Sequence, residues 1–333
     1  MRELCRARLV AAGFTVAEQA FEFSAFPGRW GTPLGGVVGC LAVAGAAALG
    51  RHEHPRGALA AVILAAIVLA GGGRMLARRV TSLPWSRAAS VNLVAARGAP
   101  RVWLVAHLDT KSQPVAMLVR VLGIVILAAT MIALCALAIV AIGGGGAPPR
   151  AWNLLAAIGV VASLPVMASI VLARSPGALD DGTGVVTVLL AAEALPRDMP
   201  VGVVLTSAEE LGMAGARAFG GAKRAAMAIN VDGVDDHGST ICMYHGRAAR
   251  VRVGVARAAV AIGMHVREQP TIPGLLTDGV ALGEAGWSAV TLSRGGVGTL
   301  WRIHRAVDTA HRISGVGMHE VARLVASAAR EIA

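Results

Sequence analysis

Hydrophobic positions along the chain follow two different patterns. Four stretches, roughly residues 33–50, 57–73, 121–142 and 152–173, are apolar almost without interruption. Crossing a hydrocarbon core of ~30 Å takes about 20 apolar residues in a helix. The third and fourth stretches meet that length with no charged residue inside. The first two are shorter and rich in Gly and Ala. They come as two pairs joined by short loops at 51–56 and 143–150, which is the spacing of helical hairpins. The pattern predicts transmembrane hairpins over 33–73 and 115–173.

Outside these stretches the periodicity changes. A helix is predicted over 2–12, and strands over 15–23, 90–96 and 101–106. A helix at 185–195 is followed by a strand at 201–206, a helix at 213–219, and strands at 226–231 and 240–244. Then come a helix (248–262), a strand (265–269), a helix (280–285), a strand (289–292) and a closing helix from about Ser314. Such alternation predicts an α/β fold, a mixed central sheet with helices on both faces. It is interrupted by the two hairpins. The expected domains are thus a discontinuous catalytic domain (1–32, 74–114 and 174–333) and two membrane hairpins.

Composition supports the membrane reading. Of 333 residues 55% are hydrophobic and 15% charged, against about 45–50% and 25% in ordinary soluble domains. Charge is uneven as well. Residues 1–173 hold 15 basic and 5 acidic side chains, whereas residues 174–333 hold 16 and 15. Basic residues flanking membrane segments collect on the cytoplasmic side. Arg2, Arg6, Arg8, Arg29, Arg74, Arg78, Arg79 and Arg87 lie on the side shared by the non-membrane segments. Arg51, Arg56 and Arg150 lie in the hairpin loops. The expectation is an integral membrane protein of a bacterial-type plasma membrane, in contact with the lipid bilayer, whose catalytic domain is cytoplasmic. Residues 1–32 show no signal peptide. Aromatics make up only 4% of the chain, which argues against a nucleic-acid partner. Four scattered cysteines do not suggest disulfides.

Candidate chemistry sits at strand ends, where α/β sheets build their sites. The strand at 101–106 runs into His107-Leu108-Asp109. Asp180-Asp181-Gly182-Thr183-Gly184 precedes a helix, the strand at 201–206 leads to Glu209-Glu210-Leu211-Gly212, and another ends at Asp232. Trp301-Arg302-Ile303-His304 stands near the C-terminus. Two His with three carboxylates suit a pair of borderline cations such as Zn²⁺. An adjacent Glu is what a metal-activated water needs as proton acceptor. Singly, each residue also fits a structural role: Asp181 or Thr183 as a helix N-cap, Glu209 and Glu210 at a helix N-terminus, Asp232-Gly233 as a turn.

Taken in order, His-x-Asp, Asp-Asp-Gly-Thr-Gly, Glu-Glu-x-Gly, Asp and His resemble the aminopeptidase S/aminopeptidase Y family of co-catalytic zinc exopeptidases. The resemblance covers all of the chain but the hairpins. It implies an aminopeptidase acting on peptides with two Zn²⁺ ions. His107 and Asp232 would bind one ion, Glu210 and His304 the other, and Asp180 both, with Asp181 as the alternative bridge. Asp109 would orient the His107 imidazole, and Glu209 would be the general base. Three departures stand out. The second hairpin lies between Asp109 and Asp180, so the active site is expected to face the membrane surface. Thr277-Asp278-Gly279 stands where the family often has Ser-Asp-His. The oxyanion-stabilising Tyr of some members is missing, with Gly274 and Leu275 in that region. The competing readings are a one-zinc acyltransferase like glutaminyl cyclase and a non-catalytic membrane scaffold that retained the fold. Asp308, four residues after His304, is a candidate support for the last loop.

Overall fold

The computed structural model describes residues 1–222, 226–246, 248–272 and 274–333. The chain divides into two units. One comprises Met1–Ala25, Thr81–Ser112 and Ala173–Ala333; the other comprises Phe26–Val80 and Gln113–Leu172.

The first unit is built on an eight-stranded sheet of order β1-β2-β4-β3-β5-β8-β6-β7. Its strands are β1 (Thr15–Ser24), β2 (Arg87–Ala96), β3 (Val102–His107), β4 (Val201–Thr206), β5 (Met227–Val234), β6 (Ser239–Tyr244), β7 (Val266–Pro270) and β8 (Ser288–Gly295). β1 and β2 pair antiparallel from Thr15↔Ala96 to Ser24↔Arg87. β4, β3, β5 and β8 run parallel, each to the next. All six residues of β3 and of β4 are buried, as expected for central parallel strands covered on both faces.

One face carries α1 (Arg2–Ala11) together with α7, α9 and α12 (Thr183–Ala194, Ala249–Ala261 and Val316–Ile332). Their apolar stripes close the larger core over Leu104, Ala106, Val203 and Ile229. The other face carries α8 (Ala214–Ala222) and α10 (Asp278–Glu284) over a smaller core centred on three aromatic rings. Trp103 and Phe219 meet edge to face at 4.9 Å, and Phe219 lies 5.5 Å from Trp287. The mixed sheet with helices on both faces is thus the fold expected from the periodicity.

The second unit holds α2 (Phe26–Arg51), α3 (Pro55–Ile67), α4 (Gly73–Arg78), α5 (Met117–Ile142) and α6 (Pro149–Met167). A π-turn at Val68–Gly72 joins α3 to α4, giving a continuous apolar helix Pro55–Arg78. Among the described residues, four helices are therefore long and apolar enough to cross a membrane. α2 packs on α3 and α6, and α5 on α3 and α6. Small residues allow the close approach. A Cβ on Gly159 would stand 2.9 Å from Val43 Cγ2 and 3.0 Å from Thr130 Cγ2. Large apolar side chains such as Leu41, Ile132 and Val161 point outward. α6 ends six residues before the apolar run does, because hydropathy alone does not distinguish helix from extended chain. Ala168 N–H closes the last turn on Leu164, and Ser169 Oγ donates to the Pro165 carbonyl.

Candidate metal centre

His107 is the last residue of β3, and Glu209 and Glu210 follow β4. Because β4, β3 and β5 are adjacent and parallel, their carboxyl ends bring these residues beside Asp232. Asp232 is not past the end of its strand as the hydrophobic pattern suggested. It lies within β5, where the pairing with β8 shifts register between Val231 and Val234. Asp180 and Asp181 occupy the turn before α7, with a cis peptide bond between them. His304 follows α11 (Val297–Arg302).

The five proposed ligand residues converge as two overlapping groups. His107, Asp180 and Asp232 each offer one donor atom within 4.8 Å of the others, and so do Asp180, Glu210 and His304. Asp180 is common to both. Its Oδ1 lies 3.1 Å from His107 Nε2 and its Oδ2 lies 2.8 Å from His304 Nε2. His304 Nε2 is also 3.2 Å from Glu210 Oε1. Asp181 is engaged differently. Its carboxylate accepts the N–H groups of His107 (3.1 Å), Gly184 (3.1 Å) and Gly233 (3.0 Å). Its oxygens tie β3, β5 and the start of α7 together.

Asp109 meets the His107 ring through its main chain. His107 Nδ1 is 2.9 Å from the Asp109 carbonyl oxygen, against 3.8 Å from carboxylate Oδ1. The carboxylate itself accepts the N–H groups of Glu209 (3.0 Å) and Glu210 (3.2 Å). Asp109 therefore fixes both the imidazole and the double-Glu turn. That turn is tight, and α8 starts only at Ala214, so Glu209 and Glu210 precede the helix rather than occupy its first turn. Ala208 and Met213 flank it at φ 57° each, and His304 sits at φ 61°. Non-glycine residues in this left-handed region carry a cost, and such residues gather at functional sites.

Burial dominates the electrostatics. It pushes the Glu209 carboxyl well above the usual range, helped by Glu210, Asp232 and Asp278 and opposed by His107. It raises Asp232 to about 7 and Asp278 to about 6. For Asp180 burial acts the same way, but facing His304 and His107 hold it well below normal. Burial likewise works against Lys111 and His304 at Glu210, which ends at about 2. Packing this many buried carboxylates together calls for positive charge. Two imidazoles and three carboxylates with donor atoms this close form a donor set that fits borderline divalent cations.

The roles of three contributors, Asp278, Asp235 and Lys111, were not apparent from the chain pattern alone. Asp278, fully buried, accepts from Thr206 Oγ1. Asp235 accepts from Thr299 Oγ1 at 2.5 Å and pairs with Arg302, bracing the helix that leads to His304. Asp308, expected to support the last loop, instead accepts the N–H groups of Leu179 and Asp180 with its carboxylate and so holds the turn before α7. Lys111 pairs with Glu210. The one tyrosine of the chain, Tyr244, stands on β6 with Arg252 over its ring at 3.7 Å.

Buried histidines and carboxylates gathered beside the carboxyl ends of adjacent parallel strands have the donor types of a divalent-metal site. The sequence model of peptidase family M28 matches residues 159–329, and the chain belongs to that family. No curated protein sequence matches the chain. Among solved structures, an aminopeptidase from Aneurinibacillus sp. is similar at a TM-score of 0.50 and 18% identity, over 74% of this chain and 48% of its own. A leucine aminopeptidase precursor from Bacteroides thetaiotaomicron gives 0.52 and 13%, over 99% and 86%. A glutaminyl cyclase from Porphyromonas gingivalis gives 0.53 and 16%, over 99% and 87%. These likenesses establish the fold. The chain spans about half the length of the first of them.

Proposed function

We propose that the protein is a membrane-anchored zinc metallopeptidase, of aminopeptidase type, acting on peptides. The observation that carries this reading is the convergence of His107, Asp180, Asp232, Glu210 and His304 from five separate parts of the chain, with Glu209 beside them. His107, Asp180 and Asp232 would hold one ion, and Asp180, Glu210 and His304 a second. Bound zinc supplies Lewis acidity toward a peptide carbonyl and lowers the pKa of a water. Glu209 is the general base. Its carboxylate takes a proton from the attacking water as oxygen bonds to the carbonyl carbon, then hands that proton to the amide nitrogen as the C–N bond breaks. Asp109 positions Glu209 through the backbone and His107 through its own carbonyl.

The likeness to aminopeptidases S and Y, the division into a catalytic domain and two transmembrane hairpins, and the cytoplasmic orientation belong to the same proposal. The four apolar helices and the Arg bias of the segments between them support it. The decisive experiment uses full-length protein in detergent, with metal counted and aminoacyl amides and short peptides as substrates. Glu209→Gln should lower turnover by about a hundred- to ten-thousandfold with bound metal unchanged. Wild type without metal, or unaffected by this substitution, would sink the reading. A second reading, an acyltransferase like glutaminyl cyclase, draws on the shared fold. Cyclisation of N-terminal glutamine, with no release of amino acids, would favour it.

A further inference from the structure

The Asp180–Glu210–His304 group has a lysine in it. Lys111 lies four residues beyond His107 on the segment leaving β3, and its Nζ forms an ion pair with Glu210 Oε2. The other Glu210 oxygen faces His304 Nε2 at 3.2 Å. The Lys111 side chain is 16% exposed and that of Glu210 4%, so the pair is withdrawn from the solvent screening that makes surface ion pairs weak. In this position the ammonium neutralises a carboxylate that would otherwise be buried and uncompensated.

That arrangement conflicts with a second divalent cation. An ion held by Glu210 and His304 would stand within a few ångströms of the ammonium, and like charges at that range repel strongly in a low-dielectric site. Lysine can leave, because its charge rides on a flexible four-carbon stem. We propose that Lys111 is a built-in counter-ion of the Asp180–Glu210–His304 group. The protein then takes up two divalent cations with unequal affinity, the second in competition with its own lysine. The His107–Asp180–Asp232 group fills first. The inference rests on the metallopeptidase reading above.

Calorimetric zinc titration of chelator-treated, full-length protein in detergent tests it, with bound metal counted by atomic emission. Wild type should bind one ion tightly and a second about ten- to a hundredfold more weakly. Lys111→Met should tighten the second step by about tenfold or more and leave the first unchanged. Lys111→Arg, which keeps the charge, should preserve the weak second step. Lys111→Gln, close in length and uncharged, reports the same two constants should the Met variant not fold. Identical constants in wild type and the uncharged variant would overturn the counter-ion role and leave the metal centre standing. Failure of wild type and every variant to bind zinc would instead remove the metal centre, and this inference with it.

Discussion

Asp308 holds Leu179 across 129 positions of sequence: its Oδ1 accepts the Leu179 N–H at 2.7 Å, and its Oδ2 accepts that of Asp180 at 3.3 Å. This carboxylate fixes the turn that aims Asp180 at both histidines. Removing it leaves two buried N–H groups without acceptors, each costing about 1–3 kcal/mol. Asp308→Ala should therefore destabilise the protein by about 2–4 kcal/mol and weaken zinc binding at both groups, because Asp180 is common to them. Denaturant unfolding of the metal-free protein and zinc calorimetry read the two effects separately. Unchanged zinc affinity in a folded variant would reduce Asp308 to a purely structural residue.

Asp109 accepts the N–H groups of Glu209 and Glu210. In Asp109→Ala these groups lose their acceptor while the carbonyl that meets His107 Nδ1 remains. The expected result is a fall in kcat of about tenfold or more, since misplacing a general base weakens proton transfer. Binding at the His107 group should change less. A kcat matching wild type would show that the double-Glu turn holds its shape without this carboxylate.

Asp236 caps α12. Its carboxylate accepts the N–H groups of Ser314 at 2.5 Å and of Gly315 and Gly317 at 3.1 Å each. These bonds outweigh its slight burial and hold its pKa below normal. A depressed folded-state pKa contributes stability that is fully present above the unfolded value and lost as pH falls through the folded one. Asp236→Ala should cost about 1 kcal/mol at neutral pH. The gap between wild type and variant should narrow as pH drops below about 4. Urea melts across that range check the sign, and a gap that widens toward acid contradicts the assignment.

Arg97 is a buried cation that ties the end of α7 to the sheet. It donates to the carbonyls of Ala192 and Pro196 at 2.9 Å each, and its guanidinium lies 4.1 Å from the centre of the Phe14 ring. Arg97→Met should lower stability by about 2–3 kcal/mol. Lys at this position should recover little, because a point charge does not reproduce the planar fork. Thermal unfolding of the two variants decides this, and a fully stable Lys variant would mean that charge alone suffices.

Much of this architecture was legible in the chain itself. The apolar runs marked the four long helices, and two-residue alternation against helical spacing located the strands and helices of the sheet. The ordered polar motifs contain His107, Asp180, Glu210, Asp232 and His304, whose donor atoms the fold brings near one another. Less legible were bonds from side chains to distant main chain. The role of Asp181 depends on three N–H groups from three places in the fold, and nothing in Asp-Asp-Gly announces it. Asp235 and Asp236 look alike in sequence, yet one braces α11 and the other caps α12.

The sequence alone determined the elements, their periodicity and the types of donor atom available, because these follow from local propensity and from which residues can shed water. Tertiary structure decided which oxygen faces which partner. It placed β2 between β1 and β4, set β4, β3 and β5 side by side, and carried Lys111 to Glu210. Such choices depend on hydrogen bonds and charge pairs between residues a hundred positions apart. Their energies exist only once the sheet has brought those residues within reach and excluded water from between them.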